Sequence, residues 1–391
     1  MKLVVVGLGQ CGSRIADEFA RMGRKARSHR HIQIINGAYA VNTDQADLAG
    51  LKTIKSDFHH RLIIGGGRTF GHGVGKINEV GAALAKWDGY KVLDAVRSGP
   101  RFYETDAFLL TAGAAGGTGS GALPIMCDLL KERYPDKPVY ALVVLPFIHE
   151  ETSEERCVFN TATCIKSAHS VADAVFLADN ERFLKKDVSL VNHMERINQE
   201  IVAPFFDLLC AGEEVSRKHI GARTVDSGDI METLDGWSAI GIGTSALRSI
   251  RLPIERTRSF RKKGKETMKG LEALDQAMYE LSVGCDPSDA GKALYLVSAP
   301  AREMNVAMVR EMGEIIRNRA CDAVLRSGDY PRNRSDLTVT VILSQLRDVS
   351  RVKELYKQVT KSSSMMKKRQ KDAEERLMEL TKAAEGVPSL L

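Results

Sequence analysis

The sequence predicts an α/β protein: a doubly wound, mostly parallel sheet, then a long central helix and a smaller α+β domain. Three observations carry this expectation. Short apolar runs alternate with helix-like segments through the first half, and the glycine-rich loops follow the carboxyl ends of strands. One such loop, Ala114-Ala115-Gly116-Gly117-Thr118-Gly119-Ser120-Gly121, joins an apolar run at 107–112 to a helical segment at 122–133. Past residue 190 the pattern changes to one long helical stretch followed by more widely spaced strands.

Taken in order, Leu3-Val4-Val5-Val6 is a strand ending in Gly7, and 13–22 is a helix with Ile15 and Phe19 on one face. Residues 31–41 form a second strand, ending in Asn42-Thr43-Asp44. The stretch 65–75 holds six glycines in eleven residues and reads as a loop. Further strands lie at 107–112, at 139–145 (stopped by Pro146) and at 174–178 (stopped by Asp179-Asn180). The segment 190–210 is helical but contains Pro204, which is expected to kink it or end its regular part. Strands follow at 237–246, 292–298 and 337–343. The chain closes with a charged helix over 351–385, stopped by Gly386-Val387-Pro388, with a serine-rich hinge at 361–364.

At 391 residues the chain exceeds one ordinary core and fits two domains plus a tail. A hydrophobic content of 43% and a charged content of 27% are those of a soluble globular protein, and a net charge of +6 does not by itself argue for nucleic acid. No run of 18 apolar residues provides a transmembrane segment. Strand-like sequence from Lys2 leaves no room for a signal peptide. Seven scattered cysteines without a C-x-x-C pair fit a reducing, cytoplasmic setting and argue against disulfides or a protein-held metal.

A glycine-dense turn from strand to helix lets backbone N–H groups crowd around an anion at the positive end of the helix. Gly7-Leu8-Gly9-Gln10-Cys11-Gly12 matches a dinucleotide fingerprint, but the next acid at a strand end is Asp44, 32 positions past Gly12, where about 20 are expected. That, with two further glycine loops, argues against a dinucleotide-dependent oxidoreductase. The Walker pattern fails too, since Ile77 follows Gly75-Lys76 and Phe70 stands at the first glycine position. Three glycine loops converge on phosphate without a P-loop lysine motif.

These motifs, in content and order over roughly residues 1–345, resemble the tubulin/FtsZ superfamily of GTPases, nearest its archaeal CetZ branch. Gly9-Gln10-Cys11-Gly12, with Ser13 and Arg14 after it, is similar to the first phosphate loop of tubulin. Asn42-Thr43-Asp44 resembles the second loop of FtsZ, and Gly73-Val74-Gly75 the third, whose amides face the γ-phosphate. Gly116, Gly117, Thr118, Gly119 and Ser120 resemble the signature loop. Pro146-Phe147 and the acids after it resemble the ribose loop, with Glu150 or Glu154 as the ribose contact, Glu151 and Glu155 as alternatives, and Arg156 as partner. Asn180, and Asn198 on the central helix, take the places that read guanine, an amide offering both donor and acceptor. Met194 stands where the family stacks an aromatic ring.

Thr224-Val225-Asp226-Ser227-Gly228-Asp229 resembles the loop that completes the active site. The resemblance implies that Asp226 and Asp229 orient the attacking water; the alternative is a helix cap, with Asp229 as N-cap and Glu232 three residues on. Thr224 replaces the usual Asn. Lys76 reads equally as a phosphate contact or a solvated lysine. The resemblance further implies GTP/GDP as ligand, Mg²⁺ held mainly by the nucleotide, and head-to-tail self-assembly with hydrolysis between subunits, in control of cell shape or division. A GTP-binding regulator that does not polymerise is the alternative. The expected parts are a GTP domain at 1–185, the central helix at 186–212, a second domain at 213–350 and a tail at 351–391. The basic segment 247–265, with eight Lys/Arg against one Glu and a single aromatic, suits lateral filament contacts better than nucleic acid. The tail residues Ala373, Leu377, Leu380 and Ala384 form a narrow apolar seam expected to dock on the body.

Overall fold

In a computed structural model, residues 1–184, 190–247 and 260–361 are described. Most of the basic segment, the serine-rich hinge past Lys361 and the tail seam lie outside these residues. One ten-stranded sheet runs through the molecule. Its strands are β1 (Leu3–Leu8), β2 (Ile35–Asn42), β3 (Arg61–Ile63), β4 (Ala107–Gly113) and β5 (Val139–Leu145), then β6 (Ala174–Asp179), β7 (Gly236–Ala246), β8 (Lys292–Ala299), β9 (Val324–Pro331) and β10 (Asp336–Leu346). The order is β3-β2-β1-β4-β5-β6-β7-β10-β8-β9. Pairing is parallel from β3 to β7 and between β8 and β9, and antiparallel where β10 meets β7 and β8. The first six strands follow the doubly wound order, which reverses direction between β1 and β4 and opens a crevice at their carboxyl ends.

All of β1, β5 and β6 is buried. Such strands are covered on both faces, which is why they read as unbroken apolar runs. Val4, Val6 and Leu8 join one core with Phe108, Leu110 and Leu123, whereas Leu3 and Val5 join the other with Phe19, Leu109 and Phe205. The central helix, Leu190–Ala211, lies in that second core. Phe205 meets Phe19 and Phe176 edge-on at 5.3 and 5.1 Å. The helix does not end at Pro204, one of the two expected outcomes: buried Ile201, Val202, Phe205, Leu208 and Leu209 outweigh one lost backbone bond.

Other boundaries also differ from expectation. The first helix runs over Gly9–Arg30, so the glycine motif forms its first turn. It ends at His31 in the left-handed conformation (φ 59°), and β2 therefore starts only at Ile35. The 65–75 stretch includes one helical turn, Gly66–Thr69. Strands β3 and β9 escaped the sequence reading because they end the sheet: β3 spans three residues, and β9 carries Arg326, Asp329 and Pro331.

Gly12 sits where the first helix crosses β4; a Cβ there would lie 2.0 Å from Thr111 O. Gly12→Ala is expected to cost about 2 kcal/mol by forcing the two backbones apart, read from urea unfolding. Unchanged stability would show that the helix shifts freely.

Candidate functional site

Two helices begin at the crevice, Gly9–Arg30 after β1 and Thr118–Arg133 after β4. Neither has a side chain capping its amino end or an acid in its first turn. Their free N–H groups and dipoles therefore converge on one cavity of about 570 Å³. The loops interlock: a Cβ on Gly9 (φ +68°) would meet Gly119 N at 2.8 Å, and one on Gly119 would meet Leu8 O at 2.7 Å. A nitrogen-lined cradle of this kind fits phosphate groups.

Of the residues singled out in the sequence, Gly9, Gln10, Cys11, Asn42, Asp44, Gly73, Val74, Gly116, Gly117, Thr118, Gly119, Glu150, Glu154 and Asn180 line this cavity, together with Lys76 and Met194. Gly12, Ser13, Arg14, Gly75, Ser120, Arg156 and Asn198 do not line it. Buried Ser13 donates to Gly7 O at 3.4 Å, and Ser120 bonds Gly116 O. These two hold the loops from behind. Arg14 is exposed, and Asn198 is buried on the central helix.

The polar side chains form a connected frame. Asp44 caps the short helix Gln45–Ala49, accepting from Ala46 N at 2.8 Å and Asp47 N at 3.2 Å. Asp47, which no motif marks, accepts from Gln10 at 2.5 Å and Asn42 at 2.9 Å and lines the cavity. The Thr43 and Thr118 hydroxyls are 2.7 Å apart. Asn160, also unmarked in the sequence, donates to Lys76 O, Ala115 O and Gly116 O at 2.8–3.2 Å and so ties the third loop to the signature loop. Lys76 adopts φ 61° and reaches Glu154 at 2.5 Å. Burial pushes the Cys11 thiol up to about 11, which keeps it uncharged beside the cradle.

At the far end of the cavity, Glu150 accepts from Phe147 N at 3.0 Å and closes its own helix turn, while Arg156 points away to Glu79 and Asn78. Asn180 is 7% exposed and its Oδ1 has no hydrogen-bond partner among the described residues. A buried, unpaired amide oxygen at a cavity wall fits a ligand donor. Behind it, Arg351 pairs with buried Glu151 and lies 3.4 Å from Asp179. Burial pushes both carboxyls up, and the guanidinium pulls them back.

Asp226 and Asp229 lie elsewhere. Asp226 is the N-cap of helix Ser227–Thr233, with Asp229 at its third position. Each carboxylate bonds the other's backbone N–H, at 2.8 and 3.3 Å. The cap thus falls three residues earlier than the Asp229/Glu232 alternative, because Arg326 engages both Asp229 (3.2 Å) and Glu232. This turn packs beside Gly212, next to Met1, at the amino end of β1. The six residues of β1 separate it from the cavity by roughly 20 Å.

Fold and crevice define a nucleotide-binding α/β protein of the tubulin type. Residues 2–186 match the Tubulin/FtsZ family GTPase domain and residues 187–361 the C-terminal domain of tubulin-like CetZ. The chain is 32% identical over 371 residues to the tubulin-like protein CetZ1 of Haloferax volcanii, covering 91% of each. It superposes on the GDP-bound CetZ1 monomer from Haloferax volcanii with a TM-score of 0.77 (29% identity, 93% of this chain, 100% of that one). For the GTPγS-bound protofilament of CetZ2 from Haloferax volcanii the score is 0.80 (27% identity, 94% and 100%). The chain belongs to the tubulin/FtsZ family, and within it to the tubulin-like CetZ proteins. Among the described residues no helix is long and apolar enough to cross a membrane.

Arg351→Ala leaves two buried carboxylates without their cation. It is expected to lower stability by about 3 kcal/mol near neutral pH. With raised carboxyl pKa values the folded state holds more protons than the unfolded one, so part of the loss returns on acidification toward about pH 5. Urea unfolding at several pH values checks both; a pH-independent loss would contradict the pairing.

Proposed function

We propose that the protein is a cytoskeletal GTPase that binds GTP in the crevice, assembles head to tail and hydrolyses GTP between subunits. The observation that carries this reading is the separation of the crevice from the Asp226/Asp229 turn. Phosphates would rest on the helix amino ends and on the 73–75 amides, with Mg²⁺ held mainly by the nucleotide. Asn180 would read guanine, joined by Asn198 after a local shift, and Glu150 or Glu154 would hold the ribose. The paired aspartates of one subunit then lie out of reach of its own γ-phosphate. Stacked head to tail, a second subunit supplies Asp226, which is exposed, and Asp229, which is half-buried, already held as a pair by their reciprocal cap. They would orient the attacking water, a contribution of roughly 10²–10⁴-fold. Such a heterologous contact does not close and extends into a filament. Assembly accords with the GTPγS-bound protofilament of CetZ2, and the role proposed is control of cell shape or division.

Phosphate release from GTP, measured against protein concentration, tests the reading. Turnover per subunit is expected to be near zero below a threshold and to rise above it. Strict proportionality would place all the chemistry in one subunit, and binding without turnover or assembly would favour the non-polymerising regulator. Asp229→Ala is expected to slow turnover at least about 100-fold with GTP affinity unchanged. Asn180→Ala is expected to lower the preference for GTP over ATP by about tenfold, read from competitive binding.

A further inference from the structure

On the side of the Asp226/Asp229 turn, a second cavity of about 630 Å³ lies where the first helix, the end of the central helix, the connection after it and the β9–β10 turn meet. Lys25, Arg30, Arg332 and Arg334 line it, against a single lining carboxylate, Glu214. Charge balance around it is incomplete. Asp207, 5% exposed, serves two guanidiniums at once: Arg30 at 3.0 Å through one oxygen and Arg332 at 2.8 Å through the other. Arg332 is itself only 4% exposed, and its Nε has no hydrogen-bond acceptor among the described residues. Glu214 is occupied by the Tyr330 hydroxyl at 2.9 Å, and Arg334 by Asp336 at 2.9 Å. Lys25 has no carboxylate partner among the described residues; its Nζ sits 5.2 Å from the Phe206 ring, which Arg30 also covers at 4.7 Å.

Lys25 thus faces a partly enclosed space without a carboxylate of its own among the described residues, Arg30 and Arg332 share one, and the buried Arg332 Nε lacks an acceptor there. Burying uncompensated charge is costly, and guanidiniums offer forked donors that match the oxygens of a phosphate. We propose that this cavity is an anion site for a phosphate group, distinct from the nucleotide crevice. Its lining includes Ser216 and His219 on the connection that leads to Asp226, so a bound phosphate would brace that connection against the first helix and the β9–β10 turn.

The test is calorimetric titration of pyrophosphate into protein saturated with GDP, so that the crevice cannot take the probe. One saturable site is expected, weakened at least tenfold by Lys25→Glu and by Arg334→Ala, with GDP affinity unchanged in both variants. Lys25 is exposed, so the charge reversal leaves the core intact. Vesicles of anionic phospholipid that retain the wild type but not these variants, without a response to free pyrophosphate, would assign the phosphate to a lipid head group. Absence of both responses, or binding equally strong in both variants, would overturn the proposal.

Discussion

Backbone packs directly on backbone at the carboxyl ends of β1 and β4, and the rest of the molecule is arranged around that contact. The first helix leaves β1 so closely against β4 that Gly12 has no room for a methyl group, and the Thr111 hydroxyl donates to Gly12 O at 2.9 Å. The helix after the third loop, Asn78–Arg97, joins the same way: a Cβ on Gly81 would meet Gly117 O at 2.4 Å. Along these glycine loops no side chain intervenes, backbone N–H groups face the crevice, and that wall of it becomes a place for anions. The glycines are thus the packing solution and the chemistry at once.

The two ends of the sheet carry different tasks. The carboxyl end holds the cradle, and the amino end holds the paired aspartates. The capping box explains how two carboxylates remain close together near the surface: each satisfies an N–H that the short helix would otherwise leave open. The same cap describes the fold and the proposed chemistry, so local geometry alone does not separate the two roles. Their distance from the crevice is set by the length of β1.

Much of this was legible in the sequence because it depends on neighbours along the chain. The strands covered on both faces announce themselves as apolar runs, and the phosphate loops as glycines at strand ends. Contributions from distant segments were not legible. Asn160 acts through backbone oxygens 44 to 84 positions away, and Arg351 reaches Glu151 across 200. Asp47 looks like any surface acid until Gln10 and Asn42 are brought to it. Arg156, a candidate ribose partner through the resemblance alone, pairs with Glu79 at the start of helix Asn78–Arg97. At Pro204 the local stop signal does not end the helix, because a buried face carries it on.

Between the two halves the sheet narrows. β6 joins β7 through three residue pairs, Ala174 to Phe176 with Gly236 to Ser238, whereas β7 and β10 share a far longer ladder. A ribbon bends where it has the fewest rungs, so the angle between the halves is the softest coordinate of the sheet. Arg351, just past β10, reaches across to Asp179, the last residue of β6 and the neighbour of Asn180. Torsion at the seam would therefore be felt at the wall of the crevice that carries Asn180.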